Sequence, residues 1–464
     1  MTVKRFLCFT AVLILLLSIT ACGSSPDDDS NTTVPTGTSV IPDGGTTPAP
    51  GEEAKSEKRT LTLSTTYVIP DLQAVFNRYR SSHRDVDLVV SDYGTDYEKF
   101  QQVIPVQLMA GDATDLIDIS NYYDTQGLFD SGFLTDLYPL MQNDPAFNED
   151  DYYMNVITGA AYQGKLLSLP LNFVYGLVGV NNAFSAELAE RFSRYETITD
   201  RQIFDLYSSL PDRGGLRLYK DCSALLVIYE SCKSYIDLEN RTCDFNNPAF
   251  ISLLRDVQKN LSTPDKNTEA SVKFSIIEKQ EEEAKNYLFH KASNMRDSHP
   301  LFFPYTAERA FSQYIPIVNS DNEITYGTFD QYSISESSDN KDLAWEFIQY
   351  LTTQDAHFIH LQMAFPIRRE LFQSYVADDL RQAVEYRRSF DEIDGETDEI
   401  VGQVMAVFEQ YNEMPMRYRA ASVQIENLVT EVFENFENGA KSAEQAAAEL
   451  QNKMSLYLME MKDN

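Results

Sequence analysis

The chain has 464 residues and a formal net charge of −33 at pH 7, with 71 acidic against 38 basic side chains. This acidity argues against nucleic acid as a partner and against electrostatic attraction to anionic lipid. The 27 Tyr and 27 Phe accompany a single Trp, and tyrosine offers both a flat apolar face and a hydroxyl for polar ligands.

The first 21 residues have the pattern of a secretory signal peptide. Lys4 and Arg5 precede an apolar run, residues 6–19, that is too short to span a bilayer. The run ends in Ile-Thr-Ala before Cys22, which resembles the lipobox of bacterial lipoproteins. The resemblance implies cleavage before Cys22, a lipid on its sulfur, and anchoring at the extracellular face of the cell membrane. An ordinary signal peptide that ends near a cysteine is the alternative.

Residues 22–58 are predicted to form a flexible tether behind the lipidated cysteine. They consist mainly of Ser, Thr, Pro, Gly, Asp and Glu, and cannot bury enough apolar surface to fold. Removal of residues 1–21 leaves 443 residues, too many for one compact core. Two domains are therefore expected.

Folded sequence begins with strands and helices that alternate. β-Branched alternation and helical spacing of apolar residues predict a strand, helix, strand, helix and strand, at residues 59–64, 70–79, 86–90, 97–110 and 116–119. This βαβαβ order predicts an α/β fold with a mostly parallel sheet, whose ligands bind at the carboxyl ends of the strands. Amphipathic helices are predicted later, at residues 342–351, 398–411, 421–436 and 442–461.

Enzyme and metal motifs are incomplete. Residues 159–165 have the glycine and lysine spacing of a P-loop, but Leu166 replaces the Ser or Thr that would hold Mg²⁺. His357 and His360 lack further zinc ligands nearby, and the acidic stretch 391–395 lacks the first carboxylate of a calcium loop. We therefore expect neither a metal nor a cofactor.

Three cysteines lie in the body of the chain: Cys222, Cys232 and Cys243. One disulfide with one free thiol, or three buried thiols, are both compatible with this number.

Six segments, in a fixed order behind the lipobox and tether, carry a further resemblance. They are residues 108–117, 132–139, 164–170, 342–351, 365–368 and 444–458. In this order they resemble the extracellular solute-binding proteins of ABC importers, the carbohydrate-type family 1 common in Gram-positive bacteria. The resemblance covers nearly all of the mature chain. It implies a monomeric receptor, not an enzyme, that binds a sugar or oligosaccharide and delivers it to the importer's permease subunits.

The resemblance also implies two α/β lobes joined by a hinge, as in periplasmic binding proteins, with both lobes discontinuous. The N-terminal lobe is expected to comprise residues 59–173 and 295–332, and the C-terminal lobe residues 174–294 and 333–464. The chain would cross between them near Val174, around residues 294–301, and near residues 329–335. Trp345 is expected to pack in the core and not to stack on a sugar.

Candidate ligand residues follow the predicted strands or border the crossings. Three tyrosines are expected to offer aromatic faces to the ligand: Tyr67, Tyr93 and Tyr122. Three polar residues are expected to form hydrogen bonds with it: Asn121, Asn172 and Asp330. Two further aromatic residues, Tyr175 and Phe329, border the crossings.

Two other functions remain open at this point. The many Asp and Glu residues allow an anchored extracellular polysaccharide hydrolase with a carboxylate pair. A receptor of the same fold for peptides or another organic solute, or one that serves a sensor kinase, is the other alternative.

Overall fold

Two β-sheets carry the fold in the computed structural model. It describes residues 38–40, 58–66, 70–181, 184–211, 216–220, 224–237, 240–261, 287–293, 311–353, 364–388, 395–437 and 439–460. Several sequence predictions lie outside these residues. They are the signal peptide, Cys22, Tyr67, Cys222, the crossing at 294–301, the pair His357 and His360, and the acidic residues 391–394.

The described strands and helices alternate along most of the chain. The strands are β1 (Thr38–Val40), β2 (Arg59–Thr65), β3 (Val86–Asp92), β4 (Leu116–Asp118), β5 (Leu169–Pro170), β6 (Asn172–Asn181), β7 (Arg217–Lys220), β8 (Ile236–Asp237), β9 (Thr242–Cys243), β10 (Tyr287–Ser293), β11 (Phe311–Pro316), β12 (Ile324–Gly327), β13 (Gln331–Ile334), β14 (Phe365–Pro366) and β15 (Met416–Tyr418). The helices are α1 (Pro70–Ser82), α2 (Tyr97–Ala110), α3 (Thr125–Asp130), α4 (Tyr138–Asn143), α5 (Met154–Gly159), α6 (Ala186–Phe192), α7 (Asp200–Ser208), α8 (Ala224–Cys232), α9 (Pro248–Leu261), α10 (Lys341–Leu351), α11 (Arg369–Leu371), α12 (Ala377–Arg388), α13 (Thr397–Asn412), α14 (Val423–Glu437) and α15 (Ala443–Glu460). A π-helical segment, Phe372–Val376, joins α11 to α12.

The first sheet has the strand order β1-β3-β2-β4-β13-β5. Strands β3, β2 and β4 are parallel, whereas β13 is antiparallel to both β4 and β5. Leu61 and Leu63 of β2 are buried in its core, as the alternating pattern of that strand predicts. The predicted βαβαβ unit and its parallel sheet are confirmed.

The second sheet is built around the ten-residue strand β6. Its order is β15-β12-β6-β10-β7, and β11 and β14 also pair with β6. Helices α6 to α9, α14 and α15 pack against this sheet. Together they form the second hydrophobic core of the protein, with residues such as Phe204, Phe250 and Val429. The predicted helices near residues 421–436 and 442–461 are thus confirmed as α14 and α15.

Helix α2 illustrates how the sequence sets its own boundaries. The side chain of Asp96 accepts a hydrogen bond from the backbone N of Lys99 at 3.0 Å, which caps the first turn. Gly111 ends the helix with a φ of 74°, a left-handed conformation that glycine adopts without strain. Phe100 and Ile104 bury the inner face of the helix.

Trp345 of α10 has the packing role that the sequence predicted. Its side chain is buried in the first hydrophobic core, and its Nε1 donates to Asp144 Oδ2 at 2.9 Å. Phe347 on the same helix packs edge-on against Tyr79 of α1. Helices α1 and α10 therefore share one apolar contact on the first sheet.

The strand pairing divides the later segments between the two sheets. Strands β11 and β12 pair with β6 in the second sheet, within the segment 295–332 that was expected in the N-terminal lobe. Strand β13 pairs with β4 in the first sheet and spans the predicted boundary at residue 333. The lobe boundaries themselves stay a prediction. The chain passes from the first sheet to the second at Leu171, three residues before Val174, returns at residues 328–330, and passes to the second sheet again between β13 and β14. Strand partners depend on long-range packing, which a local pattern does not encode.

In the described part of the chain, no helix is both long enough and apolar enough to cross a membrane.

The two cysteines within the described residues, Cys232 and Cys243, are free thiols, and Cys232 is completely buried. Burial raises the pKa of both thiols.

Candidate functional site

The carboxyl ends of β2, β3 and β4 meet at one edge of the first sheet. This polar edge comprises Thr65, Thr66, Tyr93, Asp118, Ser120 and Asn121. The hydroxyl of Thr65 donates to Asp118 Oδ2 at 2.8 Å, and Asn121 Nδ2 donates to Thr66 Oγ1 at 3.2 Å. Side chains that follow β2 and β4 are therefore joined, as expected for neighbouring parallel strands.

Asp118 is the buried carboxylate of the polar edge. It accepts from the backbone N of Ser120 at 3.1 Å and from the Ser120 hydroxyl, in addition to Thr65. Burial raises the pKa of Asp118 and the nearby Asp330 carboxylate adds to the increase, while the hydrogen bonds from Ser120 and Thr65 oppose it. The edge thus holds a shielded acceptor that is already hydrogen-bonded by its neighbours.

The crossings at Leu171 and at residues 328–330 lie side by side next to this edge. Asn172 Nδ2 donates to Asp330 Oδ2 at 2.5 Å, and the backbone N of Leu171 donates to the Asp330 carbonyl at 2.8 Å. Asn172 Oδ1 accepts from the backbone N of Phe329 at 2.8 Å and from Thr328 Oγ1 at 3.1 Å. One buried amide therefore fastens one crossing to the other, and we call this arrangement the Asn172 clamp.

Gln331 connects the Asn172 clamp to the polar edge. Its backbone N donates to Ser120 Oγ at 3.0 Å, and its Nε2 donates to Ser168 Oγ at 2.6 Å. Its Oε1 is buried without a hydrogen-bond partner in the described structure. Gln331 is not among the predicted site residues. Its position within the crossing predicted near residues 329–335 was the available signal.

Tyr93 presents a half-buried ring at the carboxyl end of β3. The ring packs edge-on against Phe100 with centroids 5.2 Å apart, and Lys99 Nζ lies 6.0 Å from its centroid. Its hydroxyl reaches Gln107 Oε1 at 3.5 Å, and burial raises its pKa. The ring is thus held by α2 while part of it remains exposed.

Two other predicted aromatic residues are buried. Tyr122 is 7% exposed and packs against Phe100 in a small apolar cluster. Tyr175 is 2% exposed, and its hydroxyl donates to Asn412 Oδ1 at 3.1 Å. Both side chains support the surrounding structure, and their contact with a ligand stays a prediction.

The structure therefore brings together part of the predicted set. Tyr93 and Asn121 lie on the polar edge, and Asn172, Phe329 and Asp330 form the adjoining clamp. Their role in ligand binding stays a prediction.

Comparison with known proteins found matches among solved structures. No protein-family model matches the sequence, and no curated protein does. The chain is similar to a sugar-binding protein of Xanthomonas citri, with 13% identity, a TM-score of 0.56, and coverage of 87% of this chain and 98% of that one. An oligogalacturonide-binding protein of Yersinia enterocolitica matches at 12% identity and 0.55, covering 87% and 100%. A family 1 extracellular solute-binding protein of Alicyclobacillus acidocaldarius matches at 11% and 0.53, covering 87% and 100%.

The chain has the fold of the extracellular solute-binding proteins. At 11 to 13% identity the likeness concerns the fold, and it extends over nearly the full length of each matched structure. The α/β, two-lobed fold that the sequence resemblance implied is confirmed.

In this solute-binding-protein fold, a second contact joins elements of the two sheets away from the clamp. The backbone N of Gln126 at the start of α3 donates to the Ala421 carbonyl at 3.0 Å. The backbone N of Ala421 donates to Thr125 Oγ1 at 2.8 Å. Ala421 lies between β15 of the second sheet and α14, so this contact bridges the two halves of the fold.

Proposed function

We propose that this chain is a lipid-anchored extracellular receptor that binds a sugar or oligosaccharide and delivers it to an ABC importer. The observation that carries the proposal is the polar edge, which adjoins paired crossings between two sheets. Open α/β sheets bind ligands at the carboxyl ends of their strands. The fold likeness to a sugar-binding protein and an oligogalacturonide-binding protein supports the solute class, and the lipobox pattern before Cys22 supports the anchor.

We assign different tasks to the predicted site residues according to their burial. Tyr93, Asn121 and Phe329 are each only partly buried and would contact the solute directly. A half-buried tyrosine ring can stack on the apolar face of a sugar, and an amide can hydrogen-bond to its hydroxyls. Tyr67 follows β2 in the sequence and belongs to the same proposed set.

The buried members of the set would act by holding the site in place. Asn172 and Asp330 bond to each other at the crossings, and Tyr122 and Tyr175 pack below the surface. They would limit how the two halves move during binding.

The proposed mechanism is closure around the solute. We place one lobe on the first sheet and the other on the second, with hinges at Leu171 and residues 328–330. Contacts from both lobes favour the closed form, which the importer's permease subunits then recognise. Micromolar affinity corresponds to about −8 kcal/mol, which a stacked ring and several hydrogen bonds supply in a desolvated cleft. No bond is made or broken.

A thermal-shift screen of the processed chain tests the proposal. The ligands would be mono- and oligosaccharides, amino acids and short peptides, and each responding sugar would also be offered as a dye-linked glycan. A melting temperature that rises with one sugar class, without dye release, is the expected result. Dye release would indicate the hydrolase, and a response to peptides alone would replace the sugar assignment.

A further inference from the structure

Helix α3 is fixed to the first sheet by its packing. Leu128 and Phe129 are buried in a cluster that also contains Ile117 of β4. At the end of the helix, Asp130 accepts from the hydroxyl of Tyr162, which packs against the same cluster, at 2.7 Å. The helix therefore moves with the first sheet.

The carboxylate of Asp124 caps helices from both halves of the fold. It accepts from the backbone N of Gly127 at 3.3 Å, in the first turn of α3. Burial raises the pKa of Asp124, and hydrogen bonds from the backbone of Gly127 and of Val423, the first residue of α14, oppose the increase. Helix α14 packs on the second sheet through Ile425 and Val429. One side chain thus joins α3 to an element of the other half.

Thr125 makes a parallel connection with its hydroxyl. Besides accepting from the backbone N of Ala421, this hydroxyl hydrogen-bonds to the side chain of Tyr418 in β15. The next residue, Gln126, donates its backbone N to the Ala421 carbonyl. The start of α3 is therefore bonded to the segment that connects β15 to α14.

The other end of α3 also lies near the second half. Burial raises the pKa of Asp130, whereas the hydrogen bond from Tyr162 and the positive charge of Arg241 oppose the increase. Arg241 lies between β8 and β9, whose Ile236 and Cys243 pack against the second hydrophobic core. Opposite charges therefore lie on the two sides of the contact.

Both sides of this contact follow carboxyl ends of strands. Helix α3 follows the loop that leaves β4 at the polar edge, and Ala421 follows β15. Strand β15 is parallel to β12, with Tyr418 opposite Tyr326, and β12 ends directly before the crossing at residues 328–330. The carboxyl end of β15 is therefore the end of the second sheet nearest the crossings. Ligands of open α/β sheets bind at such ends, so the contact spans the proposed cleft.

We propose that α3 is a latch that forms when the two lobes close on the solute, and that Asp124 and Thr125 set the affinity by stabilising the closed form. This inference rests on the proposed two-lobed receptor. The bonds of the latch involve neither Leu171 nor residues 328–330, so they can break while the Asn172 clamp stays intact. Asp124 and Thr125 are positioning residues, because they act on the solute only through the positions of the lobes.

The affinity follows from the population of the closed form. A contact that exists only in that form lowers the Kd by the factor through which it favours closure. In the open form, water replaces the partners of the latch. Removal of the Thr125 hydroxyl therefore leaves the backbone N of Ala421 unsatisfied in the closed form alone. Such a change should weaken binding without weakening the open fold.

The side chain of Gln126 opposes the latch to which its backbone belongs. It is 4% exposed, and its Nε2 is buried without a hydrogen-bond partner in the described residues. A buried and unpaired amide disfavours the state that buries it. Opening of the latch would return this group to water, so full closure needs the additional contacts of the solute.

Substitutions of Thr125 and Gln126 test the latch. Thr125→Val removes the hydroxyl at nearly constant volume, whereas Thr125→Ser keeps it. The probe is the oligosaccharide that raises the melting temperature most in the thermal-shift screen. Isothermal titration should give a Kd about tenfold higher for Thr125→Val, within about twofold of wild type for Thr125→Ser, and about threefold lower for Gln126→Met. Without sugar, the melting temperature of all three variants should stay near that of wild type.

Thr135→Val is the matched control. The Thr135 hydroxyl is buried and donates to the Ser335 carbonyl at 3.1 Å and to Glu336 Oε2 at 2.9 Å, away from the latch. This variant should lower the melting temperature and leave the Kd unchanged. An unchanged or lower Kd in Thr125→Val would overturn the latch, because a contact of the open form opposes binding. A higher Kd in Gln126→Met would contradict the cost assigned to its amide.

Hydrogen exchange follows the latch directly. The amides of Gln126 and Ala421 donate within it, so their exchange should slow by about tenfold or more when the same oligosaccharide saturates the protein. Equal exchange with and without the sugar would overturn the latch. Failure of the proposed function has a different signature, since no sugar, amino acid or peptide of the screen would then raise the melting temperature of wild type. Receptor and latch would fall together in that case, whereas sugar binding that Thr125→Val does not alter would remove the latch alone.

Discussion

The side chains of Asn172 and Asp330 meet where two passages of the chain between the sheets lie side by side, with Nδ2 and Oδ2 2.5 Å apart. Both are buried, at 0% and 5% exposure. Because the same amide also accepts from Phe329 and Thr328, it fixes the spacing of the two crossings. A hinge motion between the sheets must take place around this contact.

Replacement of Asn172 should therefore destabilise the whole fold. Asn172→Ala leaves the backbone N of Phe329 and the buried carboxylate of Asp330 without this partner, so the free energy of unfolding should fall by about 2–4 kcal/mol. Urea denaturation followed by circular dichroism measures the change. Asn77→Ala, at an exposed position of α1, should change it by less than about 0.5 kcal/mol. A loss at Asn172 as small as this control would show that the clamp does not hold the crossings.

Asn172→Asp adds a pH dependence to the same contact. The new carboxylate would face Asp330, and two adjacent buried carboxylates disfavour double ionisation. The pKa of one of them should rise, so the variant should be more stable near pH 4.5 than near pH 7 relative to wild type. Denaturation at the two pH values gives the result, and a deficit that does not vary with pH would contradict the proposed proximity.

Gly159, in the stretch with P-loop-like spacing, has a packing role in the structure. Asn155 Nδ2 donates to the Asn412 and Met414 carbonyls at 2.7 and 2.6 Å, which draws α5 against the chain before β15. A Cβ on Gly159 would overlap the carbonyl oxygen of Met416. The glycine thus permits close approach of helix and strand and needs no nucleotide to explain it.

Gly159→Ala should consequently reduce the free energy of unfolding by about 2–3 kcal/mol, because backbone must move to make room. Gly402→Ala is the matched control. Gly402 is an exposed residue of α13 with open space around its Cα, and alanine there should stabilise by about 0.5–1 kcal/mol. Thermal and urea denaturation of both variants provide the comparison. Equal effects at the two sites would contradict the tight contact of α5.

The periodic parts of the fold were accessible to sequence reasoning. Helix α2 was predicted at residues 97–110, and the structure shows why: Asp96 caps its first turn, Gly111 ends it, and Phe100 and Ile104 are buried on one face. Strand membership was not accessible. Strands β12 and β13 are three residues apart and belong to different sheets, and this difference arises from packing between distant segments.

The candidate site was predictable by position and less so by side chain. Asn121 and Tyr93 follow strand ends, which the alternating pattern predicts. Tyr122 and Tyr123 are neighbours in the same loop, yet Tyr122 is buried and Tyr123 is exposed. Which of the two rings is buried depends on the space beside Phe100, and the sequence alone does not define that space.

Lys233 should make stability depend on alkaline pH. Its side chain is 28% exposed but its Nζ is buried, 3.7 Å from Glu230 and over the Tyr229 ring. Burial lowers its pKa from 10.5 to about 8, with Arg419 adding to the decrease, while Glu230 opposes it. Between these values the unfolded chain binds more protons than the folded one. The contribution of Lys233 to stability therefore rises with pH across this window.

The measurement is denaturation at pH 7.5, 9 and 10 for wild type and Lys233→Met. The variant should lack the wild-type increase, at most about 1.4 kcal/mol per unit of pKa difference. It should be at least as stable as wild type at pH 7.5, because it avoids burying an ammonium group. Glu426 also lies near Lys233 and has a raised pKa, so Glu426→Gln serves as the second variant and should preserve the alkaline increase. Parallel pH curves for wild type and Lys233→Met would exclude Lys233 as its source.

Substitution of Tyr93 should weaken solute binding, which distinguishes this prediction from the preceding ones on stability. Loss of a stacked ring costs about 1.4 kcal/mol, so Tyr93→Ala should raise the Kd of the sugar found by thermal shift about tenfold. Tyr93→Phe keeps the ring and loses the hydroxyl contacts with Ser64 and, at 3.5 Å, with Gln107, so its Kd should stay within about threefold. Phe133→Ala is the matched control, because Phe133 is a partly exposed ring. It precedes Leu134, whose β-bridge to Ser335 lies at the opposite edge of the first sheet. Isothermal titration of Phe133→Ala should give the wild-type Kd. Equal loss of affinity in Tyr93→Ala and Phe133→Ala would place the solute elsewhere. A solute bound at the polar edge contacts Tyr93 but does not reach Phe133 at the opposite edge of the sheet.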